Sequence, residues 1–179
     1  MNKTLGILLF GLSFAHASCV IEKFSQEILN IAQKYQPSQM NESENKVLVL
    51  VEQSFDPKPL VGKITQNNAL IEKFSQVLKK KISKLCTNAL SRIKGTSIKI
   101  HQLPNGYLCV LKKSGQEVMT IKILGRASRE KFLVDDVQFE GVSAYQSIKS
   151  DVMTGCSNAT NRAQCVEKNI ETLIANYQK

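Results

Sequence analysis

Apolar residues recur at helical spacing at Ile21, Phe24, Ile28, Ile31, Ala32 and Tyr35, so residues 20–36 predict an amphipathic helix that Pro37 stops. A second helix is predicted to start at Asn41, whose side chain can cap it with Glu44 three places on, and to run through the apolar residues 47–51. The run Phe55-Asp56-Pro57-Lys58-Pro59 breaks the chain. The longest periodic element follows. Between residues 68 and 93, positions 70, 71, 74, 77, 78, 82, 85, 89, 90 and 93 are apolar and form a continuous stripe, with Lys79, Lys80, Lys81 and Lys84 expected around the opposite face and Gly95 as the stop.

Beyond Gly95 the period changes from that of a helix to that of a strand. Residues 97–103, 107–113, 117–124 and 131–139 each alternate as strands, and Asn105-Gly106 and Ser114-Gly115 are hairpin signals, so the expected sheet is a four-stranded antiparallel meander. Met119, Ile121 and Ile123 share one face of the third strand. Leu133, Val137 and Phe139 share one face of the fourth, with Asp135 an odd polar member. After Gly141, Ser143 followed by Gln146 forms a capping box for a helix, and a last helix is expected over residues 162–177. The hexapeptide IEKFSQ occurs at 21–26 and again at 71–76, in the same apolar phase; it reads as two helices burying similar faces.

The amino terminus stands apart from this pattern. Lys3 supplies a positive start, residues 5–14 are a short apolar stretch, and Ala15-His16-Ala17 offers the small-x-small cleavage pattern, so residues 1–17 read as a secretory signal peptide and 18–179 as one domain. The apolar stretch is about half of the roughly 20 residues a spanning helix needs. Cys19 opens an alternative, lipidation as a lipoprotein, but His16 stands where an aliphatic residue is usual, and periplasmic export is favoured. Export places the five cysteines where disulfides persist. Cys156 and Cys165, separated by a polar, turn-forming run, are the best pair; Cys86 and Cys109 are either a second bond or small buried hydrophobes.

The net charge of +9 on 179 residues, with 42% hydrophobic residues, fits a globular chain with a basic surface. Anionic lipid or nucleic acid would suit that charge, but export and the absence of Trp argue against nucleic acid. Catalytic chemistry is thinly supplied. Beyond the leader the only histidine is His101, no metal-ligand spacing occurs, and no phosphate loop or nucleophile elbow is present, so no cofactor is expected. Asp135 and Asp136 are adjacent in a strand and point to opposite faces, which keeps them from acting together on one substrate.

Residues 131–153, KFLVDDVQFEGVSAYQSIKSDVM, resemble the C-terminal signature of the Mla-type (toluene-tolerance) periplasmic phospholipid-binding proteins, in which a V-x-D-V strand runs into G-V-S and a helix. The matching positions are Val134, Asp136, Val137, Gly141, Val142 and Ser143; Phe55-Asp56 followed by Leu60-Val61-Gly62 is similar to a segment upstream. The resemblance implies an NTF2-like α+β fold with long helices packed on the sheet. It implies a bound phospholipid, and exchange with an inner-membrane ABC transporter and an outer-membrane lipoprotein complex by a monomeric, non-enzymatic carrier that serves lipid asymmetry. Gly141 is expected to permit a bend, Ser143 to cap, and Asp136 to accept hydrogen bonds. Lipid contact is sought on the apolar faces: Leu70, Phe74, Val77, Leu78 and Ile82 on the long helix, Met119, Ile121, Ile123, Val137 and Phe139 on the sheet, and Val142 beyond it. The alternatives are a small-molecule enzyme of the NTF2-like group using Asp135 or Asp136 as base, and an exported structural module with a closed core.

Overall fold

The computed structural model describes residues 20–128, 130–157 and 159–177; residues 1–17, read above as a signal peptide, and Cys19 lie outside the described residues. Helix α1 covers residues 20–34, and a single 3-10 turn, Pro37–Gln39, leads into α2, Met40–Ser54. The expected cap at Asn41 is not used: the residue ahead of α2 is Gln39, which makes no side-chain cap bond, and Asn41 lies inside the first turn. The proline-rich break is itself structured. It forms a two-residue strand β1, Phe55–Asp56, and a short helix α3, Lys58–Gly62, with Asp56 Oδ1 accepting from the Lys58 amide at 3.1 Å.

Helix α4 spans Asn68–Ile93. Asn67 begins it by accepting from the amides of Ala69 and Leu70 at 3.1 and 3.3 Å, which satisfies two donors that have no partner inside the helix. Its apolar stripe is buried or half-buried except at Leu85, which is exposed, and Lys79 is not on the charged face. Ser75, Lys79, Ser83 and Thr87, spaced four apart, form a second buried row beside the stripe. That row faces α2, where Ser83 Oγ donates to the Glu44 carbonyl at 3.1 Å. Hydrophobicity alone did not mark it, because the row is polar and becomes buried only once α2 packs on it.

The sheet comprises β2 (Ser97–Leu103), β3 (Gly106–Lys113), β4 (Gln116–Ala127) and β5 (Phe132–Phe139), joined by β1 and by β6 (Val142–Ser143). Helices α5 (Ala144–Met153) and α6 (Arg162–Tyr177) complete the chain. Among the described residues the architecture is α+β with six helices and a six-stranded sheet, two strands more than the expected meander. The four long strands are antiparallel neighbours, β1 runs parallel to β5, and β6 folds back on β5. Both extra strands are two residues long, too short to show an alternation in sequence.

Strand β5 also corrects the expected alternation. Its pairing with β4 slips by one between Ile123↔Val137, Leu124↔Asp136 and then Gly125↔Val134, so Asp135 is an extra residue, a β-bulge. Side-chain parity therefore reverses across it. Val137 and Phe139 share a face with Ile123 and Ile121, but Phe132 and Val134, rather than Leu133, are buried on the far side of the bulge. Gly125, opposite the slip, has φ +151, and a Cβ there would lie 2.0 Å from the Leu133 carbonyl oxygen. A side chain at this position would push the two strands apart.

One apolar core joins these layers, with Ile21, Val47, Val51, Phe74, Leu90, Phe132, Val134, Val152 and Ile170 all nearly inaccessible. The Cys156–Cys165 disulfide ties the end of α5 to α6, and Asn169 reinforces the joint by donating to the Val152 and Thr154 carbonyls.

Candidate functional site

The core is not closed throughout. A cavity of about 410 Å³ lies between α1, the C-terminal half of α4 and the inner face of the sheet. Helix α1 contributes Phe24, Ser25, Ile28 and Leu29; α4 contributes Leu85, Cys86, Ala89 and Ile93. The floor is built from cross-strand rows. Ile98, Leu111 and Met119 pair across β2, β3 and β4, and Cys109, Ile121 and Phe139 pair across β3, β4 and β5, so period-two alternation places all six on one face, with Ile123 beyond them. Leu85 and Phe139, one from the helix layer and one from the sheet, are the exposed members and mark the mouth.

The wall has little polar chemistry. Its polar side chains are Ser25 and the free thiols of Cys86 and Cys109. The second disulfide considered from the sequence is therefore absent: Cys86 on α4 and Cys109 on β3 line the cavity from its two layers. Removal from water pushes the Cys86 thiol up to about 12 and the Cys109 thiol to about 11, the latter partly offset by its hydrogen bond with Ser25. Both are protonated and unreactive at neutral pH.

Of the residues expected to contact lipid, Met119, Ile121, Ile123 and Phe139 meet in this cavity. Leu70, Phe74, Val77 and Leu78 are packed in the closed core instead, Ile82 and Val137 pack against that core, and Val142 is 65% exposed. The residues that sequence reasoning missed are Ser25, Cys86, Ala89 and Cys109, together with the larger residues around them. Size was the available signal. The open half of α4 carries Cys86 and Ala89 where the closed half carries Phe74, Val77 and Leu78, and small side chains on an apolar face leave room.

The polar signature residues Asp136 and Ser143 do not line the cavity and instead brace the fold. The buried Asp136 carboxylate accepts from the amides of Val137 and Tyr145, both at 2.8 Å, and from Gln138 Nε2 at 3.2 Å. Tyr145 lies in the first turn of α5, and Ser143 caps the same helix by accepting from the Gln146 amide at 3.0 Å. Asp136 and Ser143 thus hold the strand-to-helix joint together. Gly141, with φ +82, closes the tight β5–β6 hairpin. Asp135 pairs with Lys63 at 2.9 Å, and His101 is exposed on β2; neither lines the cavity.

A second groove, of about 570 Å³, is polar and lies among the start of α4, α5 and α6, where Lys63, Lys149, Arg162 and Glu167 line it. Among the described residues no cluster of His, Cys, Asp and Glu could hold a metal ion, and no helix is long and apolar enough to cross a membrane.

No protein-family model matches the sequence, and no curated protein matches it. The fold is similar to that of the phospholipid-binding protein of Ralstonia solanacearum, solved in complex with a phospholipid. The two are 13% identical, the match covers 91% of this chain and 99% of that one, and the TM-score is 0.65. At that identity the likeness establishes a shared fold.

Proposed function

We propose that this chain is a phospholipid-binding carrier of the Mla type, with an NTF2-like fold, that holds acyl chains in the cavity between α1, α4 and the sheet. The observation that carries this reading is the cavity itself. Its volume falls in the range of about 300–1,000 Å³ common for ligand sites, and its wall is almost wholly apolar. Each methylene placed there gains about 0.8 kcal/mol. An elongated hydrocarbon suits such a wall, whereas a polar metabolite would leave its hydrogen-bonding groups unpaired. The shared fold with a protein solved with phospholipid supports the same ligand class.

In this reading the protein performs no catalysis. Its cavity offers one hydroxyl and two protonated thiols, and the acidic pair is engaged elsewhere: Asp135 with Lys63, Asp136 in bracing α5. Residues 1–17 direct export and are removed, and the mature protein is monomeric in the periplasm. There it exchanges lipid with an inner-membrane ABC transporter complex and an outer-membrane lipoprotein complex, maintaining lipid asymmetry.

Native mass spectrometry of protein purified from the periplasm, followed by organic extraction, tests the ligand. Phospholipid is expected at one molecule or fewer per chain. Repeated recovery of empty protein that takes up no lipid from vesicles would sink the proposal.

A further inference from the structure

We infer that the mouth of the cavity is a docking surface for an anionic bilayer; the inference rests on the lipid-carrier reading for its purpose and on separate residues for its evidence. Three of the exposed large apolar side chains cluster at this opening. Leu85 and Phe139 are 49% and 38% exposed on opposite lips. Val142, 65% exposed, is the direct cross-strand partner of Phe139, so its side chain stands on the same face and extends the apolar floor outward past the cavity. Neighbouring Glu140 and Gly141 take positive φ to make the tight hairpin that folds β6 back into this position. None of the three belongs to the buried core, and left in water they form an exposed apolar lip.

On the helix side of that lip the charge has one sign, while Glu140 in the hairpin has its carboxylate engaged by the Thr120 amide at 2.6 Å. After Glu72, helix α4 carries Lys73, Lys79, Lys80, Lys81, Lys84 and Arg92 and no acidic residue. Lys81, Lys84, Asn88 and Arg92 follow one another at spacings of three and four, so they form an exposed stripe next to Leu85. Lys81 sits over the Tyr177 ring, which holds its ammonium on this side of the helix. Lys84 and Arg92 make no ion pair among the described residues.

Apolar side chains at an opening, flanked by unpaired cations, match the two layers of a bilayer surface: acyl chains for Leu85, Phe139 and Val142, anionic headgroups for Lys84 and Arg92. A hydrocarbon moving between bilayer and cavity would then slide along apolar surface without crossing water. The polar groove at α5 and α6 has no such lip and is not part of this surface.

Co-sedimentation of the purified protein with vesicles tests the docking. Vesicles of phosphatidylcholine mixed with phosphatidylglycerol are expected to bind the protein in a salt-sensitive way, and vesicles of phosphatidylcholine alone to bind it weakly. Val142→Asp, outside the cavity lining, and the double variant Lys84→Gln/Arg92→Gln are each expected to weaken binding by about tenfold or more. Their far-ultraviolet circular dichroism and melting should match the parent, because all three positions are exposed.

Equal binding of both vesicle types, or parent-like binding by both variants, would overturn the inference. Co-purified lipid separates the two readings. If the parent carries lipid and the variants bind vesicles as it does, the docking surface is wrong and the carrier stands, with this face left for a protein partner. If the parent never carries lipid but its vesicle binding falls in the variants, the carrier is wrong and the docking surface stands.

Discussion

The hexapeptide IEKFSQ occurs in α1 and again in α4, and the fold treats the two copies differently. In α1, Ile21 is fully buried, Phe24 stands half-buried on the cavity wall, and Ser25 is buried on the same wall, where it partly offsets the rise in the Cys109 thiol's pKa. In α4, Ile71 is only half-buried, Phe74 is inaccessible and 6.4 Å from the Tyr177 ring, and Ser75 Oγ is buried with no hydrogen-bond partner among the described residues. Six identical residues thus make a cavity wall in one place and closed core in the other. What differs is the covering layer: α6 closes over the start of α4, while α1 stands across a gap from the end of α4 and the sheet. Helical period decides which residues turn inward, and the neighbouring layers decide whether anything fills the space they face.

Truncating the two phenylalanines should expose that difference most strongly. Phe74→Ala removes a fully buried ring from a closed site and is expected to cost about 3–5 kcal/mol. Phe24→Ala enlarges an existing cavity and removes an edge contact with Phe55, 4.6 Å between ring centroids, and should cost roughly 1–2 kcal/mol. Urea denaturation measures both. The ranking should invert for lipid: Phe24→Ala alters the lipid recovered per folded chain, whereas folded Phe74→Ala retains the parent amount. Equal destabilisation by the two would show that the cavity is as closed as the core.

Enlarging side chains along α4 sharpens the same contrast. Val77→Phe overpacks the closed half and is expected to cost about 1–3 kcal/mol. Ala89→Leu grows into the cavity, so the melting temperature should stay near the parent value while lipid recovery falls. A large stability loss in Ala89→Leu would mean that the space it faces is not available to a ligand.

The thiols probe the open side by pH. Burial raises Cys86 from 9.0 to about 12 and Cys109 from 9.0 to about 11, so the folded state holds these protons more tightly than the unfolded chain does. Their contribution to stability is therefore complete below about pH 9 and is lost as pH rises toward 11 and 12. Melting followed from pH 8 to 10.5 should show a steeper decline in the parent than in Cys86→Ala/Cys109→Ala. Parallel declines would show that neither thiol is held away from water.

Much of this architecture was legible in the chain. The limits of α4, the two hairpins and the capping role of Ser143 all rest on local chemistry: a polar cap, a glycine, a period. What could not be read depends on contacts between distant segments. Phe55-Asp56 becomes a strand only because β5 lies parallel to it, and Lys79 is buried only because α2 crosses its row. The Asp135 bulge reverses the parity of β5 and moved burial from Leu133 to Phe132 and Val134, although the odd aspartate in an otherwise apolar face was its trace. For the cavity, four of the expected contacts converge because sheet alternation is rigid. The α4 expectations fell in the closed half because the apolar stripe is continuous and only the sizes of its members change.

The smallest expected effect returns to the repeat and turns on sign. Ser75 Oγ has given up its water without gaining a partner, so Ser75→Ala removes an unsatisfied group and should stabilise the protein by up to about 1 kcal/mol. Ser25 has the same neighbours in sequence but lines an apolar wall with Cys109, whose thiolate it favours against the effect of burial. Ser25→Ala should therefore destabilise it by roughly 0.5 kcal/mol and raise the Cys109 thiol further by removing the one interaction that lowers it. Matched chemical denaturation of the two variants gives the comparison. Opposite signs from one substitution in two copies of one hexapeptide would assign the difference to the surrounding layers; a stabilising Ser25→Ala would mean that the hydroxyl gains nothing from its sulfur partner.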